Sequence, residues 1–213
     1  MTRVVVTRAE GRAAPLADAL RAAGFDVVCC PLIEIEPIED GPVDVGGYDW
    51  VIVTSANGAA ELARRGVGKP ARVAAIGEAT ARALRAHGLS VDFVPRQATQ
   101  EGLVAEFPRP VGRVLFVGAE GARGLIVSEL GADFRPLYRT RELHPDPPPR
   151  GDLAVLSSPS AARALAGLNA DMPVVAIGPQ TAAAARDAGL AVAAEARRPA
   201  VEAVIDAVRQ AAG

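Results

Sequence analysis

The chain has 213 residues, half of them hydrophobic and few of them aromatic, which is enough for one large core or for two lobes of roughly 100 residues each. A formal net charge of −2 excludes bulk attraction to nucleic-acid phosphates or anionic membranes, so any anion has to be held by local groups. No apolar run approaches the roughly 20 residues of a bilayer span, and the opening Met1-Thr-Arg-Val-Val-Val-Thr-Arg reads as a short strand between charges rather than a signal peptide; a cytoplasmic protein is expected.

In chain order, 4–7 is a predicted strand and 12–23 a helix with Leu16 and Leu20 at i, i+4 and Gly24 as its stop. The next strand, 25–32, contains Cys29 and Cys30. Adjacent cysteines do not form an ordinary framework disulfide, and both are expected to pack in the core. After a proline-rich break at 31–47 come a strand at 50–54, a helix from Asn57, a strand at 72–76, a helix at 79–87 stopped by Gly88, a strand at 91–94 and a helix from Gln100. Strands follow at 114–117 and 133–137. A second break at 140–152 then precedes strands at 153–156, 174–177 and 191–193. Short Val- and Ile-rich runs alternating with Ala-rich helical segments predict the α/β class, with parallel strands joined by crossover helices.

The chain also repeats itself. Val51-Ile-Val-Thr-Ser-Ala-Asn-Gly and Val73-Ala-Ala-Ile-Gly-Glu-Ala-Thr return as Ala154-Val-Leu-Ser-Ser-Pro-Ser and Val174-Val-Ala-Ile-Gly-Pro-Gln-Thr, while Arg3-Val-Val-Val-Thr-Arg-Ala-Glu-Gly returns at Arg113-Val-Leu-Phe-Val-Gly-Ala-Glu-Gly. The long breaks assign 38–138 to one lobe and 1–34 with 142–213 to a discontinuous second lobe, with 35–37 and 139–141 as antiparallel connecting strands. Two similar lobes predict a ligand held between them.

Four strand-to-helix loops carry the candidate chemistry: Ser55-Ala56-Asn57 with its copy Ser158-Pro159-Ser160, and Gly77 to Thr80 with its copy Gly178 to Thr181. At the carboxyl ends of parallel strands, helix-start amides aided by hydroxyls hold anions. The same residues also serve any α/β protein as N-caps, and both readings stay open at this point. Thr7, Arg8 and Arg12, with Gly118 and Arg123 in the second copy, lie in equivalent turns, where guanidinium groups grip carboxylates or simply remain solvated. Tyr138 ends a predicted strand near the connector, so its phenol either lines the ligand site or packs against the connector. Neither Gly-x-Gly-x-x-Gly nor a phosphate-binding Gly-x-x-x-x-Gly-Lys motif is present, no serine has a partner histidine, and His87 and His144 stand far apart without a cysteine cluster. No metal and no cofactor are expected.

Taken together, these residues resemble the uroporphyrinogen-III synthase family over nearly the whole chain. The resemblance rests on Val6-Thr-Arg8, Pro31-Leu-Ile-Glu-Ile, Val53-Thr-Ser-Ala-Asn, Ile76-Gly-x-x-Thr80-Ala, Thr99-x-Glu-Gly-Leu, Leu137-Tyr-Arg-Thr, Leu156-Ser-Ser-Pro-Ser and Ile177-Gly-Pro-x-Thr181-Ala. It implies two flavodoxin-like, doubly wound lobes joined by a two-stranded connector. It also implies cyclisation of the linear tetrapyrrole hydroxymethylbilane with loss of water and inversion of ring D through a spiro intermediate, without metal or cofactor. The family's cleft tyrosine falls on Tyr138 and its hydroxyl residues on Ser55, Thr80, Ser158 and Thr181. Arg198-Pro-Ala-Val stands where the first copy has Ala98-Thr-Gln-Glu, so no role is carried onto that run. The expected partners are the small-molecule tetrapyrrole substrate and, transiently, the preceding enzyme of the pathway, with no nucleic acid and no membrane. The absence of a long apolar surface stripe predicts a monomer. A two-lobed protein that closes on a small anion without chemistry, and a nucleotide-dependent transferase or reductase, are the competing readings.

Overall fold

The structure, a computed structural model, describes residues 1–213. Its elements in chain order begin with β1 (Arg3–Val6), α1 (Ala14–Ala22), β2 (Asp26–Cys29), β3 (Ile33–Pro37), β4 (Val43–Asp44), β5 (Trp50–Val53), α2 (Ala56–Arg65) and β6 (Gly66–Val67). β7 (Arg72–Ala75), α3 (Glu78–Ala86), α4 (Gln100–Glu106), β8 (Val114–Ala119), α5 (Leu125–Leu130) and β9 (Asp133–Glu142) follow. The chain closes with β10 (Leu153–Leu156), α6 (Pro159–Gly167), β11 (Val174–Ala176), α7 (Pro179–Asp187), β12 (Val192–Glu195) and α8 (Val201–Ala212). The fold is mixed α/β with parallel sheets.

Backbone contacts divide the chain into two compact units, Met1–Glu34 with Arg141–Gly213, and Ile35–Thr140. The first is built on a sheet in the order β12-β11-β10-β1-β2, all of whose neighbours pair in parallel. Alternation along β1 sends Val4 and Val6 into one apolar cluster with α1 and α8, and Val5 into another with α6 and α7. The second unit repeats this on a sheet ordered β3-β9-β8-β5-β7, in which β9, β8, β5 and β7 run parallel. Val51 and Val53 join Leu62 and Leu84 on one face, while Trp50 and Ile52 join Leu103 and Ile126 on the other. Helices on both faces bury the whole of β5 and β10, which is why these strands read as continuous apolar runs.

Four features depart from the sequence expectation. Residues 91–94 form a single bridge, Ala74 to Phe93, rather than a strand. The Asp92 carboxylate accepts the Val73 N–H, and Pro95 has no N–H to extend the ladder. The strand predicted at 133–137 and the connecting strand predicted at 139–141 form one continuous strand to Glu142, and a short parallel pair, β4 with β6, is present in addition. Cys29 is exposed and Cys30 half-buried: β2 is the edge strand, Cys29 ends it beyond the cover that buries Val27, and Cys30 packs partly against the cluster on the other face.

Partial burial pushes the Cys30 thiol above its ordinary pKa. Because thiolate is the reactive species, a thiol-disulfide reagent at neutral pH is expected to modify Cys29 in a fast phase and Cys30 in a slower one. Cys29→Ser should abolish the fast phase; equal rates in the parent protein would contradict this ordering.

Candidate functional site

A parallel strand that runs directly into a helix delivers the helix start to the carboxyl edge of the sheet. In the unit spanning Ile35–Thr140, β5 ends at Val53 and Ser55, in extended conformation, caps α2 by accepting the Gly58 N–H at 2.9 Å. The neighbouring strand β7 leads into α3 through Gly77. A Cβ on Gly77 would lie 2.7 Å from the Ala98 side chain, so the close approach of the two loops requires glycine there. α2 and α3 pack side by side. The amides of Ala56, Asn57, Glu78, Ala79 and Thr80 therefore stand in first turns, without acceptors in their own helices and at the positive ends of two helix dipoles. Thr80 is buried at the third position of α3. Gly118 follows the β8 residue paired with Val53, and its would-be Cβ lies 3.4 Å from Thr54 Oγ1, which sets it on the same edge.

The unit formed by the chain ends repeats the arrangement on the adjacent strands β10 and β11. Ser158 caps α6 by accepting the Ala161 N–H at 3.1 Å, Pro159 occupies the first helical position, and Gly178 starts α7 with Thr181 buried in its first turn. Ser160 Oγ accepts from Arg163 at 3.2 Å. Arg8 follows β1, the strand next to β10, and is half-buried. Burial, followed by repulsion from Arg12, lowers the Arg8 pKa below its ordinary value. Burial thus opposes the charge of a guanidinium that already stands beside a second one, Arg12.

Two expected ligand residues have other engagements. Thr7 is fully buried and its hydroxyl donates to the Val155 carbonyl at 2.8 Å, fastening β1 to β10. Arg123 grips a carboxylate in bidentate fashion, but it is that of Glu101 in α4, at 2.6 and 3.2 Å. The pairing holds the Glu101 carboxyl below its ordinary pKa and Arg123 above, and both groups are exposed.

Tyr138 lies within β9 rather than at its end. It is 6% exposed and belongs to the apolar cluster that includes Val53, Leu62 and Val117, while its hydroxyl sits 2.8 Å from Ser55 Oγ, where either oxygen can donate. Packing and hydrogen bonding thus bring the phenol to the start of α2, a link the sequence reading did not anticipate. A signal for it was present: Pro136, inside a strand, marks a position where regular pairing fails. The β8–β9 register slips there, Gly118 pairing with Pro136 and Ala119 with Tyr138, so that Leu137 is an extra residue. No group of three or more His, Cys, Asp or Glu side chains is arranged to hold a metal ion.

Ser55→Ala removes both the cap of α2 and the partner of the Tyr138 hydroxyl, and it should lower stability in urea denaturation by about 1–2 kcal/mol. Tyr138→Phe combined with Ser55→Ala is expected to be non-additive by about 0.5 kcal/mol or more. Strict additivity would contradict the hydrogen bond.

A family model described as uroporphyrinogen-III synthase HemD matches residues 14–206. The chain is 34% identical over 143 residues to uroporphyrinogen-III synthase of Synechococcus elongatus, a match covering 60% of this chain and 54% of that protein. It is 29% identical over 146 residues to uroporphyrinogen-III synthase of Chlorobaculum parvum, covering 63% and 59%. The matches thus span less than two thirds of either relative's length. Among solved structures, that of a mutant uroporphyrinogen III synthase from Thermus thermophilus shares the fold, with a TM-score of 0.67 at 18% identity over 100% of this chain and 99% of that one. With the family model matched over nearly the whole chain, on a fold shared with that structure, the chain belongs to the uroporphyrinogen-III synthase family.

Proposed function

We propose that the protein cyclises hydroxymethylbilane to uroporphyrinogen III, with loss of water and inversion of ring D. Besides membership of the family, the observation that carries this reading is the phenol of Tyr138 held 2.8 Å from Ser55 Oγ at the start of a helix whose next two amides, Ala56 and Asn57, lack helical acceptors. The substrate is a polycarboxylate, and each unit offers two adjacent helix starts at a sheet edge. In one unit they stand beside Ser55, Gly77 and Thr80; in the other beside Arg8, Ser158 and Thr181. These amides and the half-buried Arg8 supply local positive potential despite the net charge of −2.

The chemistry needs no strong acid. The electron-rich pyrrole expels the terminal hydroxyl, the resulting cation is attacked by the substituted carbon of ring D to give the spiro intermediate, and fragmentation and reclosure invert that ring. Tyr138 assists by donating its O–H to the departing hydroxyl. Ser55 Oγ already accepts from the Gly58 N–H, and if it donates its own hydrogen to the Tyr138 oxygen, the phenol hydrogen is left for the substrate. The proton that leaves with water is balanced by the one released when the newly closed pyrrole regains aromaticity. Because the linear substrate closes unaided to the uninverted isomer, holding it in the conformation that favours spiro attack is the protein's main contribution. No helix is long and apolar enough to cross a membrane. We further infer that the protein acts in the cytoplasm as a monomer that receives its unstable substrate in transient contact with the preceding pathway enzyme.

The test is to supply hydroxymethylbilane as it is formed by the preceding enzyme and to separate the product isomers. The type III isomer should predominate, and Tyr138→Phe should slow its formation by about a hundredfold, the low end for loss of a positioned proton donor. Product with the spontaneous type I isomer alone would sink the assignment and favour a binding protein.

A further inference from the structure

From its two ends, the helix that finishes at Arg65 reaches Tyr138 and the neighbouring Leu137. At its start, Ser55 bonds the phenol. At its last position, Arg65 turns inward and is only 4% exposed. Its Nε donates to the Gly41 carbonyl at 2.8 Å and its Nη1 points to the Leu137 carbonyl at 3.4 Å, while Nη2 is buried without a partner. The nearest carboxylate, Glu61, lies 3.9 Å away and is held more closely by Arg64 at 2.8 Å. A buried guanidinium with an unfilled donor and a shared, distant counter-charge is expensive to keep, and nearby apolar residues would fill the volume at lower cost.

Arg65 meets β9 at its bulge. Leu137 is the extra residue between the Gly118–Pro136 and Ala119–Tyr138 pairs, and the slip lets both Leu137 and Tyr138 enter the cluster beneath α2, whereas a regular strand would send them to opposite faces. Pro136 has no N–H with which to restore regular pairing. The Leu137 carbonyl is met instead by the Ile38 N–H at 3.1 Å and by Arg65.

We propose that Arg65 is a positioning residue: by holding the Leu137 carbonyl and the Gly41 loop against the end of α2, it fixes the bulge that aims Tyr138 at Ser55. Its relevance to turnover rests on the cyclisation reading above, but the placement of Tyr138 can be measured without turnover. The chain has two tyrosines, so in a Tyr48→Phe background labelled with fluorotyrosine, Tyr138 gives the sole ¹⁹F resonance. Arg65→Met is expected to move or broaden that resonance and to make it insensitive to Ser55→Ala. It should lower kcat for the type III isomer by about tenfold to a hundredfold, as a small misplacement of a reacting group does, with KM changed by less than about twofold. Arg65→Lys, which keeps a donor for the Leu137 carbonyl, should lie between the two. Arg65→Gln, polar but too short to reach that carbonyl, should behave as Arg65→Met and replaces it should the latter not fold. A folded Met or Gln variant with parental resonance and parental kcat overturns the proposal, as does a Lys variant impaired as much as the Met variant. If the resonance responds as described but the parent protein makes no type III product, the positioning stands and the cyclisation reading alone fails.

Discussion

Parallel pairing is the constraint on which the rest depends. Because β5 pairs in parallel with β7, and β10 with β11, the helices that follow these strands all start on the carboxyl edge of their own sheets. The arrangement is imposed by the backbone, before any side chain is chosen. It concentrates amides without helical acceptors at that edge, where serines cap α2 and α6 and glycines start α3 and α7. A slightly acidic chain thereby presents local sites suited to carboxylates without a basic surface.

Within that frame, the phenol of Tyr138 is a deviation from regular structure. In an unbroken β9 the side chains of Leu137 and Tyr138 would point to opposite faces. The bulge turns both toward α2, and the same helix then supplies Ser55 for the hydroxyl and Arg65 for the carbonyl behind it. Bulges commonly re-aim a side chain beside a reacting site. Here the stabilising contacts come from the apolar cluster of Val53, Leu62, Val117 and Leu137, and the polar contacts select the orientation. On the proposed reading, catalysis needs little more than this, since the substrate supplies its own driving force for ionisation.

The periodicity of the sequence reveals the α/β class and most strands, because strands covered on both faces are nearly pure Val, Ile, Leu and Ala; Leu153–Leu156 is the clearest case. The strand-to-helix loops are legible for the same reason, each following such a run. What is not legible is pairing between distant segments. Nothing local tells that Arg123 is committed to Glu101, that Thr7 turns to Val155, or that Arg65, at a helix end where a solvated arginine is ordinary, is buried. Position in the sheet likewise overrides composition: Cys29 belongs to an apolar strand, yet stands exposed because that strand is an edge.

The central claim is that helix-start amides, rather than exposed arginines, hold the carboxylates. Amide chemical shifts recorded during titration with uroporphyrin, a stable octacarboxylate related to the product, test it most directly. The account predicts that the amides of Ala56, Asn57, Ala79, Thr80, Ser160 and Thr181 respond first and saturably. Shifts confined to loops away from these helix starts, or none that saturate, would contradict it.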